Sequence, residues 1–155
     1  MTVRRALRRL LFKVPSAGHR FLYRASGGRL GATMRGLPIL LLTTTGRKSG
    51  APRTTPLPYF ADGDRMVLVA ANGGRPWHPD WYLNLRKTPR VEIETGGTRR
   101  PAIAEAAGPE ERERLWPLVL DRAPFYGSYR HHPGREVPLV VLHPTEAVER
   151  DRRTG

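Results

Sequence analysis

Apolar and polar positions follow two different periods along this chain. Up to Pro15 the apolar residues recur at helical spacing, which predicts an amphipathic helix, and a second short helical piece is predicted around 21–23. After Pro38 the pattern becomes extended and predicts strands over 39–45, 53–60 and 66–71. Prolines at 56 and 58 make the second of these an edge or bulged strand, because proline cannot donate to a ladder.

The second half of the chain alternates helices with hairpin strands. Helices are predicted over 77–87 and over 109–121, the second one kinked at Pro117. Strands are predicted over 91–95 and 98–106 around the Gly96-Gly97 turn, and over 137–142. Short antiparallel strands with intervening helices indicate a mainly β, α+β fold, built as a small antiparallel barrel with helices on its outside.

Length and charge set the domain organisation and the partners. The 155 residues suit one folded domain, which we divide into an N-terminal basic helical segment (1–35), a barrel domain (36–146) and a polar tail (147–155). The net charge of +13 favours an anionic partner: a polyanionic cofactor, an anionic membrane surface or nucleic acid. Nucleic acid is disfavoured, because the basic residues are spread out and lack interleaved aromatic residues.

The first 35 residues carry nine basic residues and no acidic one. They either pack on their own domain or lie on an anionic membrane. No apolar stretch approaches the ~20 residues that span a bilayer, and no secretion signal is present. We therefore expect a cytoplasmic protein, with peripheral contact at the inner face of the cell membrane as one option. The absence of cysteine excludes disulfides and thiol chemistry.

The strongest chemical signal is the stretch 40–57, LLLTTTGRKSGAPRTTPL, in which a tight turn over 46–50 joins two predicted strands. Arg47, Lys48, the Ser49 hydroxyl and free backbone N–H groups are expected at one end of the sheet, where they suit a phosphate or carboxylate. The turn lacks the spacing and the following helix of a Walker loop. From the turn alone, a solvated basic hairpin is an equal alternative.

The usual catalytic side chains are missing. The five histidines show no metal-ligand spacing, so no metal site is expected, and neither a nucleophilic triad nor paired carboxylates can be identified. Glu110, Glu111 and Glu113 are expected on a solvated helix face. An enzyme of this composition would depend on a cofactor for its chemistry.

Four segments together resemble the deazaflavin (F420)-dependent nitroreductase family: TTTGRKSGAPRTTPL (43–57), VAANGG (69–74), PDWYLNLRKTPRVEI (79–93) and REVPLVVLHP (135–144). The resemblance spans about residues 20–145. It implies an FMN-binding-like split β-barrel and coenzyme F420 as cofactor. It further implies hydride transfer from reduced F420 to a quinone-like, nitroaromatic or other conjugated acceptor.

The resemblance also implies roles for individual residues. Those implied to hold the coenzyme phosphate are Arg47, Lys48, Ser49, Gly50, Ala51 and Pro52, with Arg53 assisting. Those implied to line the deazaflavin and its chain are Leu41, Leu42, Thr43, Ala70, Ala71, Asn72, Gly73, Asp80, Trp81, Tyr82, Leu83 and Asn84. Tyr126 and Tyr129 are the implied catalytic residues, which position or protonate the acceptor. Some relatives carry lysine in place of Gly73 and tyrosine in place of Ala123, which affects the acceptor range rather than cofactor binding.

Three alternatives stay open at this point. The chain could be a split barrel that binds FMN or haem, a non-catalytic F420-binding protein, or a basic module at a membrane surface. The sequence also leaves the oligomeric state open, with a homodimer as one option.

Overall fold

The computed structural model describes residues 33–34, 36–130 and 134–145. The predicted helix up to Pro15, the second helical piece and the polar tail lie outside these residues. The strands are β1 (Thr33–Met34), β2 (Leu37–Thr45), β3 (Pro52–Pro58), β4 (Phe60–Asp62), β5 (Arg65–Val69), β6 (Arg90–Thr95), β7 (Thr98–Ala106) and β8 (Leu139–Pro144). The helices are α1 (Asp80–Lys87), α2 (Pro109–Arg122) and α3 (Gly127–Arg130), with 3₁₀ turns at Asn72–Gly74 and Pro124–Tyr126.

All strand pairings among these elements are antiparallel, in the order β1-β2-β6-β7-β8-β5-β4. Strand β3 lies off this path and pairs with β2 alone, from Ile39↔Pro58 to Thr45↔Pro52. The predicted edge strand is therefore confirmed, and its three prolines lie where the ladder tolerates missing donors.

Two apolar clusters pack against the sheet. One contains Leu42, Leu68, Val140 and Leu142 and is closed by α1 through Trp81, Tyr82 and Leu85. The other contains Val67, Leu139 and Val141 and is covered by Leu115, Trp116 and Val119 of α2. Neighbouring residues of β5 and β8 alternate between the clusters, as the period of a strand requires, so both faces of these strands are buried.

Some boundaries differ from the prediction. Helix α1 begins at Asp80 rather than at residue 77, because Pro79 is extended and disfavours helical geometry in His78 before it. The strand predicted over 53–60 is divided at Tyr59, whose N–H donates to the carbonyl of Pro38. Strand β1 follows the two predicted helical pieces within the segment 1–35 and was not itself predicted. Helix α2 continues through Pro117 to Arg122, one residue beyond its predicted end.

Candidate functional site

The turn between β2 and β3 is fastened to α1. The side-chain oxygen of Asn84 accepts hydrogen bonds from the Arg47 backbone N–H at 3.1 Å and from its guanidinium at 3.0 Å. The same guanidinium donates to Asp80 at 3.1 Å, and Lys87 donates to the Arg47 carbonyl at 2.9 Å. Arg47 thus has both its backbone and its side chain engaged by one face of α1.

Asn84 is the buried centre of this contact, with only 3% of its surface exposed. Its amide nitrogen donates to the Thr44 hydroxyl at 3.2 Å, so both ends of the amide are satisfied. A buried polar group that found no partner would cost about 1–3 kcal/mol. Asn84 therefore joins the end of β2 to α1 at no such cost.

Internal hydrogen bonds also shape the turn itself. Gly46 donates to Ala51 and Gly50 donates to Gly46, both at 2.8 Å. The Ser49 hydroxyl oxygen accepts from the Ala51 N–H at 3.1 Å, so this oxygen is used within the turn. A Cβ at Gly46 would lie 2.9 Å from the Ser49 hydroxyl and 3.0 Å from the Ala51 carbonyl, which is why glycine is required there.

Two cations stay available to a ligand, Lys48 in the turn and Arg53 in β3. Lys48 and Arg53 are exposed, and within residues 36–130 and 134–145 neither side chain has a hydrogen bond or ion pair. In the same part of the chain, the backbone N–H groups of Lys48 and Ser49 have no partner. This end of the sheet therefore offers Lys48, Arg53 and two N–H groups, while the Arg47 guanidinium is hydrogen-bonded to α1.

A second predicted segment follows the end of β5. Ala70 and Ala71 are buried, and the chain then turns through Asn72 (φ 52°), Gly73 (φ 64°) and Gly74 (φ 80°). Asn72 is the one non-glycine residue with positive φ in the described part of the chain, and its side-chain nitrogen donates to the Trp77 carbonyl at 3.0 Å. Gly73 is exposed and Gly74 partly exposed, so it is the backbone of this glycine turn, after the buried alanines, that a flat ligand can approach closely.

Arg135 hydrogen-bonds to the backbone carbonyls of this segment. Its guanidinium donates to the carbonyls of Ala70, Ala71 and Arg75 and contacts the His78 ring nitrogen at 3.1 Å. Burial is the main cause that lowers the pKa of His78, and the positive charges of Arg135 and Arg86 lower this pKa further. The sequence reasoning missed both residues, although Arg135 opens the segment REVPLVVLHP that carried the resemblance.

The two predicted catalytic tyrosines lie side by side beyond α2. Their ring centroids are 5.8 Å apart, and Tyr126 also contacts Phe60 edge-on at 6.1 Å. Tyr129 lies directly against Gly74, where a Cβ would stand 2.8 Å from the tyrosine ring. The structure thus brings Tyr129 to the turn over 70–75, here called the small-residue turn, and Tyr126 lies next to Tyr129; both tyrosines are half-buried against the α2 cluster.

Most of the remaining predicted site residues are buried in or beside the apolar cluster that α1 closes. Leu42 lies in the cluster closed by α1, whereas its neighbour Leu41 belongs to neither cluster although it is only 1% exposed. Trp81 and Tyr82 are buried in the α1 cluster and Leu83 packs at its margin. Thr43 hydrogen-bonds with Thr54 across the β2–β3 ladder at 2.8 Å.

One expectation about surface charge needs correction. Glu111 does not lie on a free solvated face, since it bridges Arg65 at 2.8 Å and Arg114 at 3.0 Å. Asp62 accepts from the same two arginines, which joins α2 to the β4–β5 hairpin. Hydrogen bonds from Arg114 and then from Arg65 lower the pKa of both carboxyl groups.

Comparisons with known proteins cover most of the chain. Residues 17–144 match the family described as F420H(2)-dependent quinone reductase. An F420H(2)-dependent quinone reductase of Mycobacterium tuberculosis (strain ATCC 25618 / H37Rv) is 42% identical over 128 residues, which cover 80% of this chain and 86% of the relative.

Two solved structures extend the comparison. An F420-H2 dependent reductase (FDR-A) superposes with a TM-score of 0.62 at 36% identity, over 68% of this chain and 94% of that one. A chain described as a domain-swapped dimer superposes with a TM-score of 0.65 at 29% identity, over 92% of this chain and 100% of that one.

These matches bear on both the fold and the family. The split β-barrel fold and the deazaflavin-dependent family predicted from the sequence are confirmed. The chain belongs to the F420H(2)-dependent quinone reductase family.

Proposed function

We propose that this protein is an oxidoreductase that uses reduced coenzyme F420 to reduce a quinone-like acceptor. The observation that carries the proposal is the match of residues 17–144 to a family with this activity. The turn that bears Lys48, with Arg53 next to it in β3, supports the proposal, since both cations are exposed and α1 holds the backbone of the turn. Nitroaromatic and other conjugated molecules are further candidate acceptors, because they too can accept a hydride.

The residues present fit F420, which has a flat ring and an anionic chain with a phosphodiester and several glutamates. Two exposed, unpaired cations suit the anionic chain, and because α1 fixes the backbone of the turn beside them, that backbone needs no rearrangement when a ligand binds. The turn Asn72–Gly74 suits the ring, because Gly73 is exposed, Asn72 and Gly74 are partly exposed, and the two glycines have no side chain to block a flat ligand.

The turn residues have two different tasks in this proposal. Lys48 and Arg53 contact the anionic chain. Arg47 fixes the turn to α1 through its hydrogen bonds to Asn84 and Asp80.

The chemistry divides between cofactor and protein. Bound reduced F420 supplies the hydride, and reduction of a quinone to a quinol also needs a proton at the second oxygen. In this proposal the hydroxyls of Tyr126 and Tyr129, whose ring centroids lie 5.8 Å apart, orient the acceptor and pass a proton to it. The protein thus needs no nucleophile.

Two measurements test the proposal. Titration of the purified protein with oxidised F420 and, separately, with FMN gives the cofactor preference. Mixing the protein with reduced F420 and menadione should then restore the absorbance of oxidised F420. Preference for FMN would instead support a flavin-binding split barrel. Tight F420 binding without turnover across several quinones would support a non-catalytic binding protein.

We further propose peripheral membrane contact through residues 1–35, supported by their nine basic residues without an acidic one. No helix in the described part of the chain is long and apolar enough to cross a bilayer. Flotation with anionic and with neutral liposomes, using the full chain and a chain lacking residues 1–32, tests this. Equal recovery of both chains with anionic liposomes would contradict it.

A homodimer is the proposed assembly, since a solved relative is described as a domain-swapped dimer. Light scattering coupled to gel filtration measures the mass directly. A monomer across a wide range of protein concentrations would contradict the proposal.

A further inference from the structure

Arg135 is half-buried and hydrogen-bonds extensively to the backbone of the segment 70–75. The two terminal nitrogens donate to the Ala70 carbonyl at 3.2 and 3.1 Å, and one of them also donates to the Ala71 carbonyl at 2.9 Å. The Nε atom donates to the Arg75 carbonyl at 3.1 Å. One planar guanidinium therefore donates hydrogen bonds to three carbonyls, which lie at both ends of the segment 70–75.

These contacts determine which way the turn faces. The Ala70 N–H donates to the Pro138 carbonyl, and the Gly74 N–H donates to the Ala71 carbonyl. Because the carbonyls of Ala70, Ala71 and Arg75 all accept from Arg135, these contacts restrict the backbone at both ends of the segment. The backbone conformation at Asn72 and Gly73, with φ of 52° and 64°, is one that L side chains rarely adopt, so it needs such support.

The same guanidinium reaches the residues before α1. It contacts Nδ1 of His78 at 3.1 Å, and the His78 ring packs on Tyr82 with centroids 4.8 Å apart. Tyr82 lies in the α1 helix that also carries Asn84, the residue that fastens the Arg47 turn. Arg135 thus links the small-residue turn to the helix that holds the anion-binding turn.

We propose that Arg135 is a positioning residue for cofactor binding: it fixes the backbone over 70–75 in the conformation that receives the deazaflavin ring. This inference rests on the proposed function. Lysine cannot replace it, since a single ammonium lacks the planar fork that reaches three carbonyls at once.

The experiment compares Arg135→Lys and Arg135→Met with Arg112→Lys. Arg112 is a matched control because it also donates to a backbone carbonyl, that of Val137, and pairs with Glu136, yet it serves the α2 side of the sheet. For each variant we would measure the melting temperature, the Kd for oxidised F420, and kcat and KM separately for reduced F420 and menadione.

Arg135→Lys should raise the Kd and KM for F420 about tenfold, the scale of one lost charge-assisted hydrogen bond, and leave the menadione KM within about twofold. Arg112→Lys should lower the melting temperature and leave the F420 Kd unchanged. An unchanged F420 Kd in both Arg135 variants would overturn the inference. So would an equal loss of affinity in Arg112→Lys, which would mean that general loosening of the fold is the cause. If the unmodified protein failed to bind F420, the proposed function itself would fail instead.

Discussion

The Asn84 side-chain oxygen accepts two hydrogen bonds from Arg47, one from the backbone N–H and one from the guanidinium. A neutral amide, almost fully buried, thus connects α1 to the turn that carries the free cations. Because Lys48 follows Arg47 directly, any movement of this contact moves the anion-binding groups as well. The geometry of the proposed site therefore depends on a residue that need not contact the ligand.

Asn84→Ala should weaken both the fold and F420 binding. The substitution leaves the Thr44 hydroxyl and the Arg47 N–H without their buried partner, which costs about 1–3 kcal/mol in the free energy of unfolding. The loosened turn should also raise the F420 Kd. Thermal unfolding and F420 titration measure the two effects.

Asp80→Ala provides the comparison for that variant. Its carboxylate also binds the Arg47 guanidinium, but the side chain is 87% exposed. An exposed ion pair contributes about 0–1 kcal/mol, so this variant should melt close to the unmodified protein. If Asp80→Ala destabilised the fold as much as Asn84→Ala, the ion pair rather than the amide would hold the turn.

Removing the exposed cations should weaken F420 binding in a salt-dependent manner. Lys48→Ala and Arg53→Ala should each raise the F420 Kd roughly tenfold at low salt, because each removes a charge-assisted contact with the anionic chain. The difference from the unmodified protein should shrink at high salt, where exposed charges are screened.

Arg122→Ala is the matched charge control for these two variants. Arg122 is an exposed arginine at the end of α2, away from the turn. If this substitution changed the F420 Kd as much as Lys48→Ala, the net charge of the protein and not the turn would attract the cofactor.

The sequence allowed most of the sheet and the position of the turn to be predicted, because both rest on local signals. The glycines at 46 and 50, the prolines of β3 and the Gly96-Gly97 turn each act over a few residues. The commitment of Arg47 to α1 depends instead on Asn84, 37 positions along the chain. Arg135 and Ala70 are 65 positions apart. No rule of sequence spacing connects residues so far apart. The fold was therefore needed to show that Arg47 is hydrogen-bonded to α1 whereas Lys48 and Arg53 are exposed.

The ion cluster between α2 and the β4–β5 hairpin predicts acid sensitivity. Asp62 and Glu111 have ordinary pKa values of 3.8 and 4.5, and hydrogen bonds from Arg114 and then Arg65 lower both pKa values in the folded protein. A carboxyl group whose pKa is depressed by folding contributes stability above its unfolded pKa and loses it as the pH falls through the folded one. Melting temperature should therefore drop from about pH 4.5 downwards.

Asp62→Asn isolates that contribution. The variant should melt at a lower temperature than the unmodified protein at neutral pH, since a neutral amide pairs weakly with two guanidinium groups. Its melting temperature should then change less on acidification. Glu110→Gln serves as the control, because Glu110 is exposed and forms no ion pair in the described part of the chain. Parallel pH profiles for the unmodified protein and Asp62→Asn would contradict the prediction.

Gly74 lies directly against the ring of Tyr129. An added Cβ at Gly74 would lie 2.8 Å from Cε1 of Tyr129, and its φ of 80° strains any L side chain. Gly74→Ala should therefore displace the tyrosine ring and raise the menadione KM. Gly63→Ala separates the two causes, because Gly63 also has positive φ (60°) but no atom within 4 Å of the added Cβ.

Backbone strain alone should cost about 1–2 kcal/mol of unfolding free energy in Gly63→Ala, and Gly74→Ala should cost more because the ring must also move. In the double variant Gly74→Ala/Tyr129→Ala the clash is absent, so the two single effects should not add. Their interaction energy in a double-mutant cycle should be at least about 0.5 kcal/mol, measured by urea unfolding. Simple additivity, together with an unchanged menadione KM in Gly74→Ala, would show that the turn does not position Tyr129 for the acceptor.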